Sequence, residues 1–145
     1  MSTWSQSAVW AGRIAAPADK VWPYLRWDNL ESMLPGGFFA GVEYEERRII
    51  VGATRRVLLA DGRSIREKLE AVSSPDLAYS YRIIDAADFP IAAYLGHVRL
   101  TAAGPSACSL VFACEFVPLA SAEEWRAAYV AMQGALAGFI RTQVE

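Results

Sequence analysis

Arg55 and Glu67 are the residues whose types and spacing could do chemistry. Each breaks an otherwise apolar strand face. In 49–59, Val51, Ala53, Val57 and Leu59 share the side of Arg55. In 63–73, Ile65, Leu69 and Ala71 share the side of Glu67, while Ser64, Arg66, Lys68 and Glu70 point away. The turn between them fixes how they meet. A two-residue Asp61-Gly62 loop would pair Arg55 with Lys68 and set an apolar face against a charged one. A three-residue loop, Ala60-Asp61-Gly62 with Gly62 left-handed, pairs Leu59 with Arg63, Val57 with Ile65, and Arg55 with Glu67. An inward-facing Arg55–Glu67 ion pair is therefore expected. A rim pair, or a bulge turning one partner outward, is the plainer alternative. Inside, the carboxylate could act as general acid or base, and the guanidinium could polarise a carbonyl or hold an enolate. An arginine opposite the carboxylate favours its ionised form, which makes Glu67 a poor acid.

Neighbouring strands add to the same face. Tyr79, Tyr81 and Ile83 lie opposite Arg82, and Tyr94, Gly96 and Val98 lie opposite His97 and Arg99. The three tyrosines could offer hydroxyls to a ligand or be core residues with backbone partners. On the last helix, Tyr129, Met132, Gln133 and Leu136 are candidates to face a cavity, with core packing the stronger expectation for the apolar ones. The expected ligand-binding set is thus Arg55, Val57, Glu67, Leu69, Tyr79, Tyr81 and Tyr94 from the strands, with Tyr129, Met132, Gln133 and Leu136 from the helix. Were the protein an enzyme, Glu67 and Arg55 would be its catalytic pair.

Other chemistries lack residues. His97, the one histidine, reads as outward and solvated, and no second histidine, cysteine or HExxH pattern accompanies it, so no metal site is expected. No GxSxG or papain-like context makes it a triad base. Cys108 and Cys114 lie six apart on one strand, roughly 20 Å end to end, too far for a disulfide. They read as buried thiols in a reducing compartment. Alternation cannot orient Glu115, because both faces of 107–117 are mostly apolar. No cofactor motif occurs, and none is expected to be needed.

The positioning elements follow from punctuation. Residues 4–14 read as a strand. Pro17 should take the first helical position of a short helix that Pro23 kinks or stops. Asp28 and Glu31 resemble a capping box for a second short helix over 29–34, broken by Pro35-Gly36-Gly37. Strands are expected at 39–46, 49–59, 63–73, 77–84, 92–102 and 107–117. Ser121 and Glu124 should cap a helix over 121–143, whose apolar stripe runs through Trp125, Ala128, Tyr129, Met132, Leu136, Phe139 and Ile140. This order predicts an α+β fold, a curved seven-stranded antiparallel sheet around a long C-terminal helix, with two short helices between strands 1 and 2.

The 145 residues suffice for one domain, read as 1–145, with a sizeable core. Hydrophobic residues make up 54% and charged ones 21%, which argues against disorder. Fourteen Lys and Arg against sixteen Asp and Glu leave no basic stripe for nucleic acid. No apolar run is long enough for a membrane span and no basic-then-apolar signal opens the chain, so a cytoplasmic protein is expected. A homodimer is conceivable through Trp4 or Trp10 if exposed.

The chain resembles the START-related superfamily of helix-grip proteins, which holds polyketide cyclases, the major birch pollen allergen, norcoclaurine synthase and plant abscisic-acid receptors. The resemblance runs over nearly the whole chain. It rests on Ala16-Pro17-Ala18-Asp19-Lys20-Val21-Trp22, Val51-Gly52-Ala53-Thr54-Arg55, Glu67-Lys68-Leu69-Glu70 and Tyr79-x-Tyr81, in that order. Locally the chain is most similar to the receptors and to bacterial polyketide cyclase/dehydrase-like proteins. The resemblance implies that Arg55, Glu67 and Tyr94 line an internal pocket. It also has departures. Ala60-Asp61-Gly62 is shorter than the receptor gate, Ala87-Asp88-Phe89-Pro90 replaces the latch, and no lysine near 38–42 could bind a hormone carboxylate. Hormone sensing through a phosphatase is not implied.

Three functions follow as expectations. The first is binding or carriage of a small, largely apolar molecule such as a lipid, polyketide, terpenoid or aromatic. The second is a polyketide cyclase or dehydratase using Glu67 with Arg55, the tyrosines orienting the substrate. The third is an interaction module whose interior is only a core. Apolar pockets with a few convergent polar groups favour the first.

Overall fold

A computed structural model describes residues 6–145. Strand β1 (Gln6–Ile14) is followed by helix α1 (Ala18–Leu25) and a 3₁₀ segment (Trp27–Gly36). Six strands come next: β2 (Phe39–Tyr44), β3 (Thr54–Leu59), β4 (Ser64–Ser73), β5 (Ala78–Asp85), β6 (Ile91–Ala102) and β7 (Cys108–Pro118). Helix α2 (Ala122–Val144) closes the chain. The strands form one antiparallel sheet in the order β1-β7-β6-β5-β4-β3-β2. Register shifts in β2, β4 and β6 supply the irregularities that let such a sheet curve. Its concave face and one side of α2, through Tyr129, Leu136, Ala137 and Ile140, bury each other. Ser121 caps α2 as expected, its hydroxyl accepting from the Glu124 N–H at 3.2 Å.

Several boundaries differ from the sequence reading, each for a local reason. Pro17 is the N-cap residue of α1, one position earlier than expected, with φ −66° and ψ 150°. Pro23 does not end α1, which continues to Leu25. The Asp28/Glu31 capping box does not form. Asp28 instead pairs with Arg26, and the segment is 3₁₀ with a kink at Asn29. Strand β3 starts at Thr54, because Gly52 has a φ of +95° and 50–53 forms a turn closed by Ala53 N on Ile50 O at 3.0 Å. Val51, expected on the inner face, is consequently 65% exposed. In β4 a bulge between Leu69 and Ala71 reverses the alternation, so Ala71 is exposed opposite Ser80 and Val72 packs inward opposite Tyr79.

The open edge of β1 is fastened to α2. Arg126 Nε donates to Ser7 O at 2.9 Å, Arg141 Nη2 donates to Arg13 O at 2.7 Å, and Ala15 N donates to Glu145 Oε2 at 2.9 Å. Trp10 is not the exposed surface residue that an interface would use. Its ring lies 6.0 Å from that of Phe112 and against Gly134 of α2. Trp4 lies outside the described residues. No helix among the described residues is long and apolar enough to cross a membrane.

Candidate functional site

The β3–β4 hairpin has the three-residue loop, with Gly62 at φ +93° and Leu59 N bonded to Arg63 O at 2.8 Å. It pairs Val57 with Ile65 and Arg55 with Glu67. Both charged residues point inward and are 5% exposed. Arg55 Nε donates to Glu67 Oε1 at 2.8 Å, and Nη1 donates to Trp27 O at 2.7 Å. The guanidinium carbon stands 3.9 Å from the Trp27 ring centroid, a cation–π contact inside the protein. Burial alone would lower the Arg55 pKa. The Glu67 charge and hydrogen bond, together with the Tyr79 and Tyr44 hydroxyls, more than offset that and hold it above its ordinary value, so Arg55 remains a cation.

These groups secure the segment that plugs the end of the sheet. At the Asn29 kink, Trp27 O also accepts from the Tyr44 hydroxyl at 3.0 Å, and that hydroxyl accepts from Leu30 N at 3.0 Å. Tyr79 Oη donates to Leu25 O at 2.6 Å, and Asn29 Nδ2 donates to Pro23 O at 2.8 Å. Two of the last carbonyls of α1, which a helix end leaves without intrahelical partners, are thereby satisfied by side chains, and Trp22 O by Arg26 N.

Between plug, sheet and α2 lies a cavity of about 490 Å³. From the sheet, Arg55, Val57, Glu67, Tyr79, Tyr81 and Tyr94 reach its wall. From α2, Tyr129, Met132, Gln133 and Leu136 do so. Leu69 does not. It is fully buried beside the turn, with its N–H on Ala53 O and its carbonyl on Gly52 N, both at 2.8 Å. Sequence reasoning missed Met33, Phe38, Phe39, Phe89 and Trp125 in the wall, and Trp27 and Tyr44 behind it. Phe89 and Trp125 form an edge-to-face pair at 5.8 Å.

The interior hydroxyls pair among themselves. Tyr81 Oη and Tyr94 Oη are 3.0 Å apart. Gly96 makes room for them, because a Cβ there would stand 2.7 Å from Tyr81 Cζ and 2.8 Å from Tyr94 Cε1. Burial pushes Tyr79 up to about 12 and raises Tyr81, Tyr94 and Tyr129 as well, so all four are phenols at neutral pH. At the mouth, Arg63 holds Asp61 at 2.7 Å and Asp88 at 3.4 Å and lies 4.0 Å over the Phe89 ring. Arg26, also in the wall, is paired with Asp28 at 3.0 Å.

His97 is on the outer face as expected, but it is not simply solvated. Nδ1 lies 2.7 Å from Ser80 Oγ and Nε2 lies 2.6 Å from Glu115 Oε2, which also settles the direction of Glu115. Both cysteines are buried and free, and burial pushes Cys114 up to about 12. Among the described residues no three side chains cluster as metal ligands.

With this geometry in hand, comparison with known proteins assigns the family. The family described as polyketide cyclase / dehydrase and lipid transport matches residues 8–145. The chain belongs to it. No curated protein matches the chain. Among solved structures, the XoxI protein of Bacillus cereus superposes with a TM-score of 0.83 at 18% identity, covering 97% of this chain and 96% of that one. An uncharacterized protein of Bacillus thuringiensis gives 0.77 at 22% identity, with 93% and 98% covered. Norcoclaurine synthase of Thalictrum flavum, solved with dopamine and hydroxybenzaldehyde, gives 0.69 at 18% identity, with 97% and 88% covered. At these identities the likeness is one of fold, the helix-grip arrangement of a curved sheet around a terminal helix.

Proposed function

We propose that this family member binds or carries a small, largely apolar molecule, such as a lipid, polyketide, terpenoid or aromatic, in the cavity between sheet and α2. The observation that carries this reading is the wall itself. About 490 Å³ is bounded by aromatic and aliphatic side chains with one buried polar cluster at Arg55, Glu67 and the tyrosines. Volume and composition both fall within the usual ~300–1,000 Å³ range of small-molecule sites. The family description includes lipid transport, and a structural neighbour holds two small aromatic molecules. Free, buried Cys108 and Cys114 are in keeping with a cytoplasmic carrier. The test is native mass spectrometry of the purified protein, followed by denaturation and identification of whatever is released. A retained apolar molecule of cavity size is the expected result. An unliganded protein that also fails to take up apolar fluorophores would refute the reading.

A second reading, a cyclase or dehydratase using Glu67 as acid/base beside Arg55, is favoured by one observation. Among the described residues only Oε1 of Glu67 takes part in a hydrogen bond, and the residue lines the cavity. Turnover abolished by Glu67→Gln, with ligand affinity little changed, would select it over carriage.

A further inference from the structure

The polar inventory of the cavity narrows the class of molecule it accepts. Three cations line it, and each is already matched to a carboxylate. Arg26 is bound to Asp28, Arg63 to Asp61 and Asp88, and Arg55 to Glu67. Of these only Arg55 is buried, with Nε and Nη1 committed to Glu67 and Trp27 O and its face against the Trp27 indole. The Tyr79 hydroxyl donates its proton to Leu25 O, and one proton is shared between Tyr81 and Tyr94. Two wall atoms stand apart, the Trp125 indole N–H, a buried neutral donor without a partner among the described residues, and Glu67 Oε2, the unpaired acceptor. Among the described residues no hydrogen bond reaches that oxygen, although the Glu67 side chain is only 7% exposed and lines the cavity. An acceptor that carries part of a negative charge and opens onto an otherwise apolar cavity is best met by a donor from whatever fills that cavity.

We infer that the bound molecule is an apolar body carrying a hydroxyl, a phenol or alcohol, that donates to Glu67 Oε2, and that carboxylic acids are excluded. This rests on the cavity being a ligand site, as proposed above. A ligand carboxylate at the same place would meet Glu67 with no free cation to offset the repulsion, and would lose its hydration as well. A hydroxyl leaves the net charge of the Arg55–Glu67 pair at zero and satisfies the unpaired oxygen with a hydrogen bond to a charged acceptor, a stronger class than one between neutral groups.

Three probes of one shape test this: biphenyl, 4-phenylphenol and biphenyl-4-carboxylate, titrated calorimetrically into the wild-type protein at pH 7. The expected order is phenol tightest, by roughly tenfold over the hydrocarbon, with the carboxylate weakest. Because a single Glu67 variant leaves Arg55 as an uncompensated buried charge and destabilises the fold, the companion protein is the double variant Arg55→Met/Glu67→Leu. Its ratio of phenol to biphenyl affinity should fall to about one, whatever its absolute affinity for the hydrocarbon. A carboxylate that binds as tightly as the phenol, or a phenol no better than the hydrocarbon, overturns the inference and leaves ligand binding intact. Failure of all three to bind overturns the binding reading and this inference with it.

Discussion

Replacing Glu67 by leucine should be among the most damaging single changes in this protein, and replacing Arg55 along with it should undo most of the damage. The pair is buried at side-chain exposures of 6% and 7%, so solvent screens it little. Glu67→Leu strands a guanidinium that burial already disfavours, and such a stranded charge costs about 3–5 kcal/mol. The adjoining cavity can admit water, which places the expectation near about 3 kcal/mol. For a chain of this length that lowers the melting midpoint by roughly 6–12 °C, out of a total stability on the order of 5–15 kcal/mol. In Arg55→Met/Glu67→Leu no buried charge remains, and Trp27 O still accepts from the Tyr44 hydroxyl at 3.0 Å. The double variant should therefore be at least about 2 kcal/mol more stable than Glu67→Leu alone. Urea denaturation followed by tryptophan fluorescence measures all three proteins. Additive losses in the double variant, or a Glu67→Leu cost below about 1 kcal/mol, would show that the pair does not behave as a desolvated unit.

Gly96→Ala should cost about 1–3 kcal/mol by urea denaturation and separate the Tyr81 and Tyr94 hydroxyls, since the added Cβ would stand 2.7 Å from Tyr81 Cζ; a neutral effect would mean that the rings can yield. Stability should fall as pH rises from about 10 to 12. The native state keeps the Tyr79 proton until about pH 12 while the unfolded chain releases it near 10, so the unfolded state binds fewer protons across that window. Tyr79→Phe should flatten that fall, read as urea midpoints at successive pH values, and an unchanged slope would refute the assignment. Arg63→Ala should leave stability within about 0.5 kcal/mol, because its partners Asp61 and Asp88 are largely exposed. It should nevertheless speed release of a bound fluorophore severalfold in stopped flow, since Arg63 ties the β3–β4 loop to Asp88 and Phe89; identical release rates would contradict that tie.

Legibility in the sequence followed how local the determining forces were. The β3–β4 register could be read because a left-handed Gly62, with alternation intact from Thr54 to Leu59 and from Ser64 to Leu69, leaves one pairing that sets the two apolar faces together and Arg55 against Glu67. The Ser121 cap was readable for the same kind of reason, a side chain meeting an N–H three residues on. The Leu69/Ala71 bulge was not, because an extra residue in a strand leaves no mark when both phases carry plausible side chains. Gly52 announced its turn only through its backbone angle. Leu69 was assigned to the cavity wall by parity alone, which gives the side of the sheet but not the depth below it. Trp27 and Tyr44 were overlooked because their roles depend on a kink at Asn29 that frees backbone groups for distant partners, and nothing periodic marks them.

The fastening of β1 to α2 has a consequence for traffic. With Ser7 O, Arg13 O and Ala15 N all held by side chains of the helix, that flank is riveted and cannot part without stranding backbone groups. The opposite rim is closed only by aromatic edges and by solvent-facing ion pairs around Arg63. On the proposed carrier reading, exchange of a guest is therefore expected on the side with Phe38, Phe89 and the β3–β4 loop rather than past the fastened β1 flank.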